Sequence, residues 1–275
     1  MNLSLLGLGI IGSLWARHHA ADGRALRTWN RSPKPEAPGF TPDIAQAVHG
    51  VDILHLCVGD IAAVESVLKQ ALPHLQPGAL VIQSSTISPE AASHFRQETE
   101  AHGGRYLEAP FTGSGPIAEQ RQTVFYVGGP EALIEEALPA LAPLSRTLHR
   151  LPDERQAQAV KLSMNLQVAA ITQALAEGLQ LARQHGLRDD DFFKILRDNA
   201  SHTKLADLKE PKLRQQDFSP QFSVKHMHKD LTLAQQAAGE LPLLQLARTL
   251  EVYQLGLEAG YAEEDFSSLI RLVKP

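Results

Sequence analysis

The sequence predicts an α/β protein: a mainly parallel sheet in the first half, then a long helix, then an all-α remainder. Three observations carry that prediction. Residues 2–141 alternate short apolar runs with amphipathic stretches, the rhythm of successive βαβ units. Gly7-Leu8-Gly9-Ile10-Ile11-Gly12 stands between the first apolar run and the first amphipathic stretch. Residues 153–186 contain no proline and only Gly178 as an interior glycine, with apolar residues on most sides.

The elements follow in order. Asn2 to Leu6 is a short apolar strand, and the stretch after the glycines is helical to about Ala21. In G-x-G-x-x-G the first glycine permits a tight turn, the second admits a pyrophosphate, and the third lets helix and strand close up. The N–H groups at the helix start then hold the phosphates. A second strand, Leu26 to Trp29, ends in Asn30-Arg31-Ser32-Pro33. An NAD enzyme places an acid near this point to bind the ribose hydroxyl. Here Arg31 can stack on adenine and pair with a 2′-phosphate, and Ser32 can donate to it, which argues for NADP(H). Alternation continues with strands at Ile53–Val58, Ala79–Gln83, Arg105–Glu108 and Thr123–Val127. Helices are expected at Ala62–Leu72, Pro89–Ala101 and Glu131–Leu141, on both faces of the sheet. Residues 1–152 thus read as a Rossmann-type dinucleotide-binding domain.

Ligands in such sheets sit beyond the carboxyl ends of the strands. Three ends stand out: Cys57-Val58-Gly59-Asp60, Ser84-Ser85-Thr86, and Glu108-Ala109-Pro110-Phe111-Thr112-Gly113-Ser114-Gly115. The third reads either as a plain loop or as an anion site built from hydroxyls and glycine N–H groups.

Residues 153–186 read as an interdomain helix buried nearly all round. Asp153 can cap it and Gly186 can stop it. At 1.5 Å per residue it is roughly 45–50 Å long, more than one small domain spans. Lys161 and Asn165 lie one turn apart on one face, continued by Val168 and Thr172. An unpaired ammonium is costly to bury. Lys161 is therefore either a snorkelling lysine or a site residue.

Residues 187–275 read as an all-α C-terminal domain. Asp189-Asp190-Asp191 suits a helix N-terminus better than a metal, and no metal site is expected. Phe222–Ala238 forms a helix carrying Lys225, His226, His228, Lys229 and Asp230, the histidines not at the i, i+4 metal spacing. Pro242 starts another helix to Ala259, and Leu269 to Val273 closes the chain.

Composition narrows the function. A net charge of −5 gives no broad attraction to nucleic acid or anionic membrane. The lone Cys57 excludes an intramolecular disulfide framework. No apolar run approaches the ~18 residues of a membrane span, and the opening residues resemble neither a signal nor a transit peptide. A cytoplasmic protein acting on a small molecule is expected. The long apolar helix and all-helical second half suggest a homodimer or homotetramer.

Taken together, the sites resemble the β-hydroxyacid dehydrogenase family, which includes 3-hydroxyisobutyrate dehydrogenases, tartronate semialdehyde reductases and glyoxylate/succinic semialdehyde reductases. Gly7 to Gly12 matches its opening, with Ile11 in place of the usual methionine. Glu108 to Ser114 looks like its substrate segment, with Phe111 for valine and Thr112 for serine. Lys161 and Asn165 match its catalytic lysine and asparagine, and Lys229-Asp230-Leu231-Thr232-Leu233-Ala234 its late Lys-Asp-Leu-x-Leu-Ala. The family's two glycines before the lysine are replaced by Arg155 and Ala157, so the backbone approaches nicotinamide less closely or Arg155 adds charge to the pocket.

The resemblance implies a hydride transfer with NADP(H), in which Lys161 protonates the carbonyl oxygen and Asn165 positions the lysine or the substrate. It assigns Thr112, Gly113 and Ser114 to the substrate carboxylate. It assigns Gly7, Leu8, Gly9, Ile10, Ile11, Gly12, Asn30, Arg31, Ser32, Cys57, Val58, Thr86 and Lys229 to the cofactor. The rivals are an imine reductase-like NADPH enzyme, against which Lys161 argues, and a non-catalytic NADP-binding protein.

Overall fold

The computed structural model describes residues 1–273 and separates the chain into two compact units, Met1–Lys161 and the part from Leu162 onward. Residues 274 and 275, the end of the expected helical domain, lie outside the described residues.

The first unit is a doubly wound sheet. Its strands are β1 (Asn2–Leu6), β2 (Ala25–Trp29), β3 (Ile53–Leu56), β4 (Leu80–Gln83), β5 (Arg105–Glu108), β6 (Phe111–Thr112), β7 (Thr123–Gly128) and β8 (Ser145–Leu151). They run in the order β2-β1-β3-β4-β5-β7-β6, with β8 also on β7. The strands β1 to β5 are mutually parallel, β7 is antiparallel to β5 and β6, and β8 is parallel to β7. The helices are α1 (Ile10–Ala21), α2 (Ile44–Val48), α3 (Ile61–Ala71), α4 (Pro89–Ala101), α5 (Gly115–Glu119) and α6 (Glu131–Leu141). Alternate strand residues bury on opposite faces, which is why the strands are apolar runs rather than half-polar ones. Leu6, Leu54, Leu56 and Val81 pack with Val64 and Leu68 of α3 and Phe95 of α4. Leu3, Leu5, Ile53 and Ile82 pack with Trp15 of α1 and Ile134 and Leu141 of α6.

The stretch from Glu108 to Thr112 is not a loose loop. Glu108 pairs with Gly128, Phe111 with Phe125 and Thr112 with Val124, and Tyr126 N–H donates to the Pro110 carbonyl at 2.8 Å. All four pairings share one register, so β6 continues β5 along β7.

Helix α7 (Glu154–Gln184) runs 31 residues. Asp153 caps it, its Oδ1 accepting from Gln156 N–H at 2.8 Å. The expectation of burial nearly all round fails. Arg155, Gln156, Met164, Gln167, Ala174, Glu177 and Leu181 form an exposed stripe, while Ala157, Gln158, Lys161, Leu162, Asn165, Ala169 and Leu179 are buried. The exposed stripe mixes polar side chains with apolar Met164, Ala174 and Leu181, which is why the sequence reads as apolar on most sides.

The second unit is helical: the rest of α7, then α8 (Asp189–Arg197), α9 (Lys204–Gln215), α10 (Val224–Ala238), α11 (Leu244–Glu258) and a 3₁₀ segment (Phe266–Leu272). Leu175, Ala176 and Leu179 of α7 pack against Phe193, Ala206, Leu213 and Ile270. The three consecutive acids take arginine partners: Asp189 pairs with Arg183, Asp190 with Arg214 and Asp191 with Arg188.

Candidate cofactor and active site

The turn after β1 lies where the strand order reverses, with β2 on one side of β1 and β3 on the other. Gly7 has φ +100°, and a Cβ there would stand 2.2 Å from the Cys57 carbonyl oxygen. A Cβ at Gly12 would stand 1.9 Å from the Gly7 carbonyl oxygen. At Gly9 a Cβ would meet nothing within 4 Å. The first and third glycines thus close the turn, and the second leaves its outer surface open. Asp60 and Ser88 cap α3 and α4, whereas α1 has no side-chain cap and no acid in its first turn. An open backbone shelf at an uncapped helix start fits a pyrophosphate.

Neighbouring strand ends brace this turn. Leu8 N–H donates to Asn30 Oδ1 at 2.8 Å, and Asn30 Nδ2 donates to the Ser32 carbonyl at 2.8 Å. Asn30 is therefore a turn-former, while Arg31 and Ser32 beside it are exposed. Lys34 was missed in the sequence: its Nζ donates to the Leu8 carbonyl at 2.6 Å, adding a cation at the glycine turn. The signal was a lysine only a few residues past the strand. Ser85, within the Ser84-Ser85-Thr86 strand end, accepts from Val58 N–H at 2.9 Å and so joins the Cys57-Val58 and Thr86 segments. Burial pushes the Cys57 thiol up to about 12, so it stays neutral.

Lys161 is 8% exposed, and its Nζ stands 5.9 Å from the centroid of the Phe111 ring. Phe111 is held edge-on by Trp15 at 4.8 Å and tilted against Phe125 at 6.0 Å. Thr112 Oγ1 and the Tyr126 hydroxyl share a hydrogen bond of 3.1 Å, which makes Tyr126 another residue the sequence did not offer. The Ser114 Oγ is buried with no hydrogen-bond partner among the described residues. An orphaned hydroxyl in that segment fits a ligand oxygen, because a buried polar group without a partner is costly.

The departures resolve differently from expectation. Arg155 pairs with Glu90 at 2.9 Å, both largely exposed, so its charge is spent at the surface. Ala157 is buried against Gly128, where a Cβ would stand 2.8 Å from the Ala157 Cβ and 2.1 Å from the Asp153 carbonyl oxygen.

In the second unit, Asn165 and Lys229 meet at a common partner. Asn165 Nδ2 donates to Asp230 Oδ2 at 2.6 Å, and Lys229 Nζ lies 2.9 Å from Asp230 Oδ1. Asp230 is 1% exposed. It is the residue that orients both, and its signal was adjacency to Lys229. Burial, then the positive charge of Lys229, lowers the pKa of His226, which bonds Ser223 Oγ at 2.7 Å.

Fold and turn define an NAD(P)-binding oxidoreductase architecture. Comparison with known proteins is more specific. Residues 2–151 match the NAD-binding domain of 6-phosphogluconate dehydrogenase, and residues 156–273 match the NAD-binding domain of NADP-dependent 3-hydroxyisobutyrate dehydrogenase. The chain is 27% identical over 287 residues to glyoxylate/succinic semialdehyde reductase 1 of Arabidopsis thaliana, covering 100% of this chain and 99% of the relative. It is 26% identical over 275 residues to the mouse cytokine-like nuclear factor N-PAC, covering 98% of this chain but 50% of that protein, so it spans half of N-PAC's length. Its structure superposes on Mycobacterium tuberculosis 3-hydroxyisobutyrate dehydrogenase, solved with L-serine, with a TM-score of 0.89 at 25% identity, covering 100% and 99% of the two chains. The chain belongs to the 3-hydroxyisobutyrate dehydrogenase-like family of β-hydroxyacid dehydrogenases. Among the described residues no helix is long and apolar enough to cross a membrane.

Proposed function

We propose that this protein is an NADPH-dependent oxidoreductase interconverting a small hydroxyacid and its aldehyde acid, with Lys161 as general acid and base. One observation carries the reading: a buried ammonium on α7 stands over the strand that leads into Thr112-Gly113-Ser114. The substrate candidates are glyoxylate and succinic semialdehyde, which name the Arabidopsis relative, and hydroxyacids like that of the mycobacterial neighbour.

Gly7 to Gly12, with Cys57, Val58 and Thr86 on the neighbouring strand ends, would hold the dinucleotide, and Arg31 and Ser32, aided by Lys34, its 2′-phosphate. Lys229 is the remaining residue assigned to the cofactor. When bound, the nicotinamide supplies or takes the hydride. Thr112, Gly113 and Ser114 hold the substrate carboxylate. Lys161 meets the growing negative charge on the carbonyl oxygen with its own positive charge and donates the proton. In the reverse direction it takes that proton back. Asn165, oriented by Asp230, positions the lysine or the substrate. The reading includes a cytoplasmic homodimer or homotetramer, supported by exposed apolar Leu241, Leu244 and Leu255, and sedimentation would test it.

The deciding experiment is Lys161→Ala. A general acid contributes chiefly in the transition state. kcat should fall by about 10²–10⁴-fold, with NADPH affinity nearly unchanged. Lys161→Arg should also be poor, since guanidinium keeps the charge but is a weak proton donor. A Lys161→Ala enzyme with near-normal kcat on the substrate panel would remove the mechanism, and turnover of a cyclic imine instead would favour the imine-reductase reading.

A further inference from the structure

Glu108 ends β5 just before the Phe111–Ser114 segment, and its carboxyl is 0% exposed. Three donors hold it. The Tyr106 hydroxyl donates to Oε2 at 2.6 Å, while Gln83 Nε2 and Gln158 Nε2 donate to Oε1 at 2.7 and 2.8 Å. Gln158 is itself fully buried and lies three residues before Lys161 on α7, on the same face. Its carboxamide is fully committed. Nε2 also donates to the Ser85 carbonyl at 2.8 Å, and Oε1 accepts from Ile87 N–H at 3.2 Å. One side chain therefore joins three segments: the strand end that carries Thr86, the root of the substrate segment, and the helix that carries Lys161.

A leucine would fill this space without desolvating an amide. A buried polar network earns its place by fixing one arrangement when every member is satisfied. One turn earlier, Glu154 accepts from Ser93 Oγ at 2.8 Å and from Arg96 Nε at 3.1 Å. Glu154 and Gln158 are four residues apart, so two polar anchors on one face fix the start of α7 in both rotation and translation.

We propose that Gln158 is a positioning residue: clamped between Glu108 and the Ser85–Ile87 backbone, it sets where α7 presents the Lys161 ammonium relative to the substrate segment. The proposal rests on the reading of Lys161 as general acid. A misplacement of about 1 Å in such a group can cost roughly 10²-fold. The groups bearing on the charge of Glu108 are Tyr106 on β5, Glu154 on α7 and, across Glu154, Arg96 on α4. Burial raises the proton affinity of Glu108 and the negative charge of Glu154 adds to it, while the three donors oppose.

The test uses the full-length enzyme, with kcat and NADPH Kd measured from pH 6 to 9 and a thermal melt for each variant. Gln158→Leu should lower kcat about tenfold or more, at every pH, with a much smaller change in Kd. Gln158→Glu places two carboxyl groups at hydrogen-bond distance. At low pH they share a proton and the clamp holds. As pH rises the proton leaves, like charges part, and kcat falls along a limb that the unmodified enzyme lacks. Combining Gln158→Glu with Glu108→Gln restores one amide–carboxylate contact but sets a carboxylate against the Ser85 carbonyl and an amide against Gln83 Nε2, so that enzyme should recover part of the kcat and lose the limb. Three results would overturn the proposal: folded single variants with kcat close to normal, a Gln158→Glu loss that ignores pH, or a double variant no better than Gln158→Glu. If neither single variant folds, the double variant decides. Measurable kcat without the alkaline limb supports the clamp, and an inactive or unfolded double variant overturns it. Lys161→Ala run in parallel separates the claims. If Lys161→Ala is active, the general-acid reading has failed; if it is dead while folded Gln158 variants are normal, only the clamp has.

Discussion

Replacing Lys209 by methionine should cost about 3–5 kcal/mol, the range for breaking a buried ion pair by removing one partner. Lys209 Nζ lies 2.7 Å from Asp265 Oδ1, with side-chain exposures of 2% and 0%. The ammonium also sits over the Phe266 ring at 4.1 Å. Asp265 is the hub of its surroundings, accepting further from Ser267 N–H at 3.1 Å, Ser267 Oγ at 2.7 Å, Gln221 N–H at 3.1 Å and Phe222 N–H at 3.3 Å. Burial opposes its charge, but Lys209 and then Ser267 outweigh burial and hold the carboxyl below its usual range. Methionine matches the length of the lysine stem but leaves Asp265 charged, buried and without a cation. The four remaining donors temper the loss, which favours the lower half of that range. At about 2–4 °C per kcal/mol for a chain of this size, the melting temperature should drop roughly 6–16 °C.

The sign with pH is specific. In the variant the folded-state pKa of Asp265 should rise above its unfolded value. The penalty is then full above the raised pKa and shrinks as pH falls toward the unfolded value near 3.9. Denaturant titrations at pH 7 and pH 5 measure both effects. Lys209→Met with Asp265→Leu removes the stranded charge and should regain most of the loss, since an apolar pair often matches a buried ion pair. A Lys209→Met deficit under about 1 kcal/mol, the upper range of an exposed pair, would refute the reasoning.

Three other substitutions probe the nucleotide site and the sheet core. Gly12→Ala puts a Cβ 1.9 Å from the Gly7 carbonyl oxygen, so the turn must open. NADPH binding, read by fluorescence titration, should weaken at least about tenfold, a loss of roughly 1.4 kcal/mol, and unchanged affinity would clear the turn of that role. Arg31→Ala should lower the preference of kcat/KM for NADPH over NADH by about 1.5–3 kcal/mol, the worth of a charged hydrogen bond; equal use of both cofactors by the unmodified enzyme would contradict this. His19 is fully buried on α1 with neither ring nitrogen partnered among the described residues, and burial, then Arg24, lowers its pKa to about 4. His55 is lowered to about 3 by burial, then by His19. Below pH 6.5 the unfolded chain binds protons these rings refuse, so stability is full above that value and falls by up to about 1.4 kcal/mol per pH unit for each ring. His19→Leu should raise neutral-pH stability by about 1 kcal/mol and flatten the acid slope; an unchanged difference between pH 5 and pH 7.5 would contradict it.

The parts of the fold visible in the sequence are those set by local periodicity. Strands β1 and β5 and helices α4 and α6 fall at their expected bounds, because caps and breakers flank them: Ser88 before Pro89, Pro130 before Glu131. The elements not foreseen were set by partners distant in sequence. Strand β8 reads Ser-Arg-Thr-Leu-His-Arg-Leu, too polar for a buried run, and is a strand because β7 offers a parallel edge. The two residues of β6 carry no pattern and are placed by the register that Glu108 begins. Helix α9 contains Pro211, which hides it from a periodicity reading. At the site, the glycines and Lys161 were legible as types at a spacing. The supporting residues Tyr126 and Gln158 were not, because a hydrogen-bond partner has no sequence signature of its own; Ser85 and Asp230 stood inside recognised motifs without a role.

The three departures from the family pattern carry unequal weight once placed. Arg155 spends its charge on exposed Glu90, an ion pair worth about 0–1 kcal/mol. Ala157 needs no displaced backbone, since the residue opposite it is Gly128. Phe111 is different. It lies directly opposite Phe125 in the β6–β7 pairing, and Trp15, stacked on His55 at 5.1 Å, blocks its edge. A ring held on that side keeps its face toward Lys161. Valine would leave room there and offer no π-face. Phenylalanine takes the room and turns a π-face toward the buried ammonium. Substrate room and the surroundings of Lys161 thus depend on the same residue, so a substitution at Phe111 should change substrate preference and kcat together.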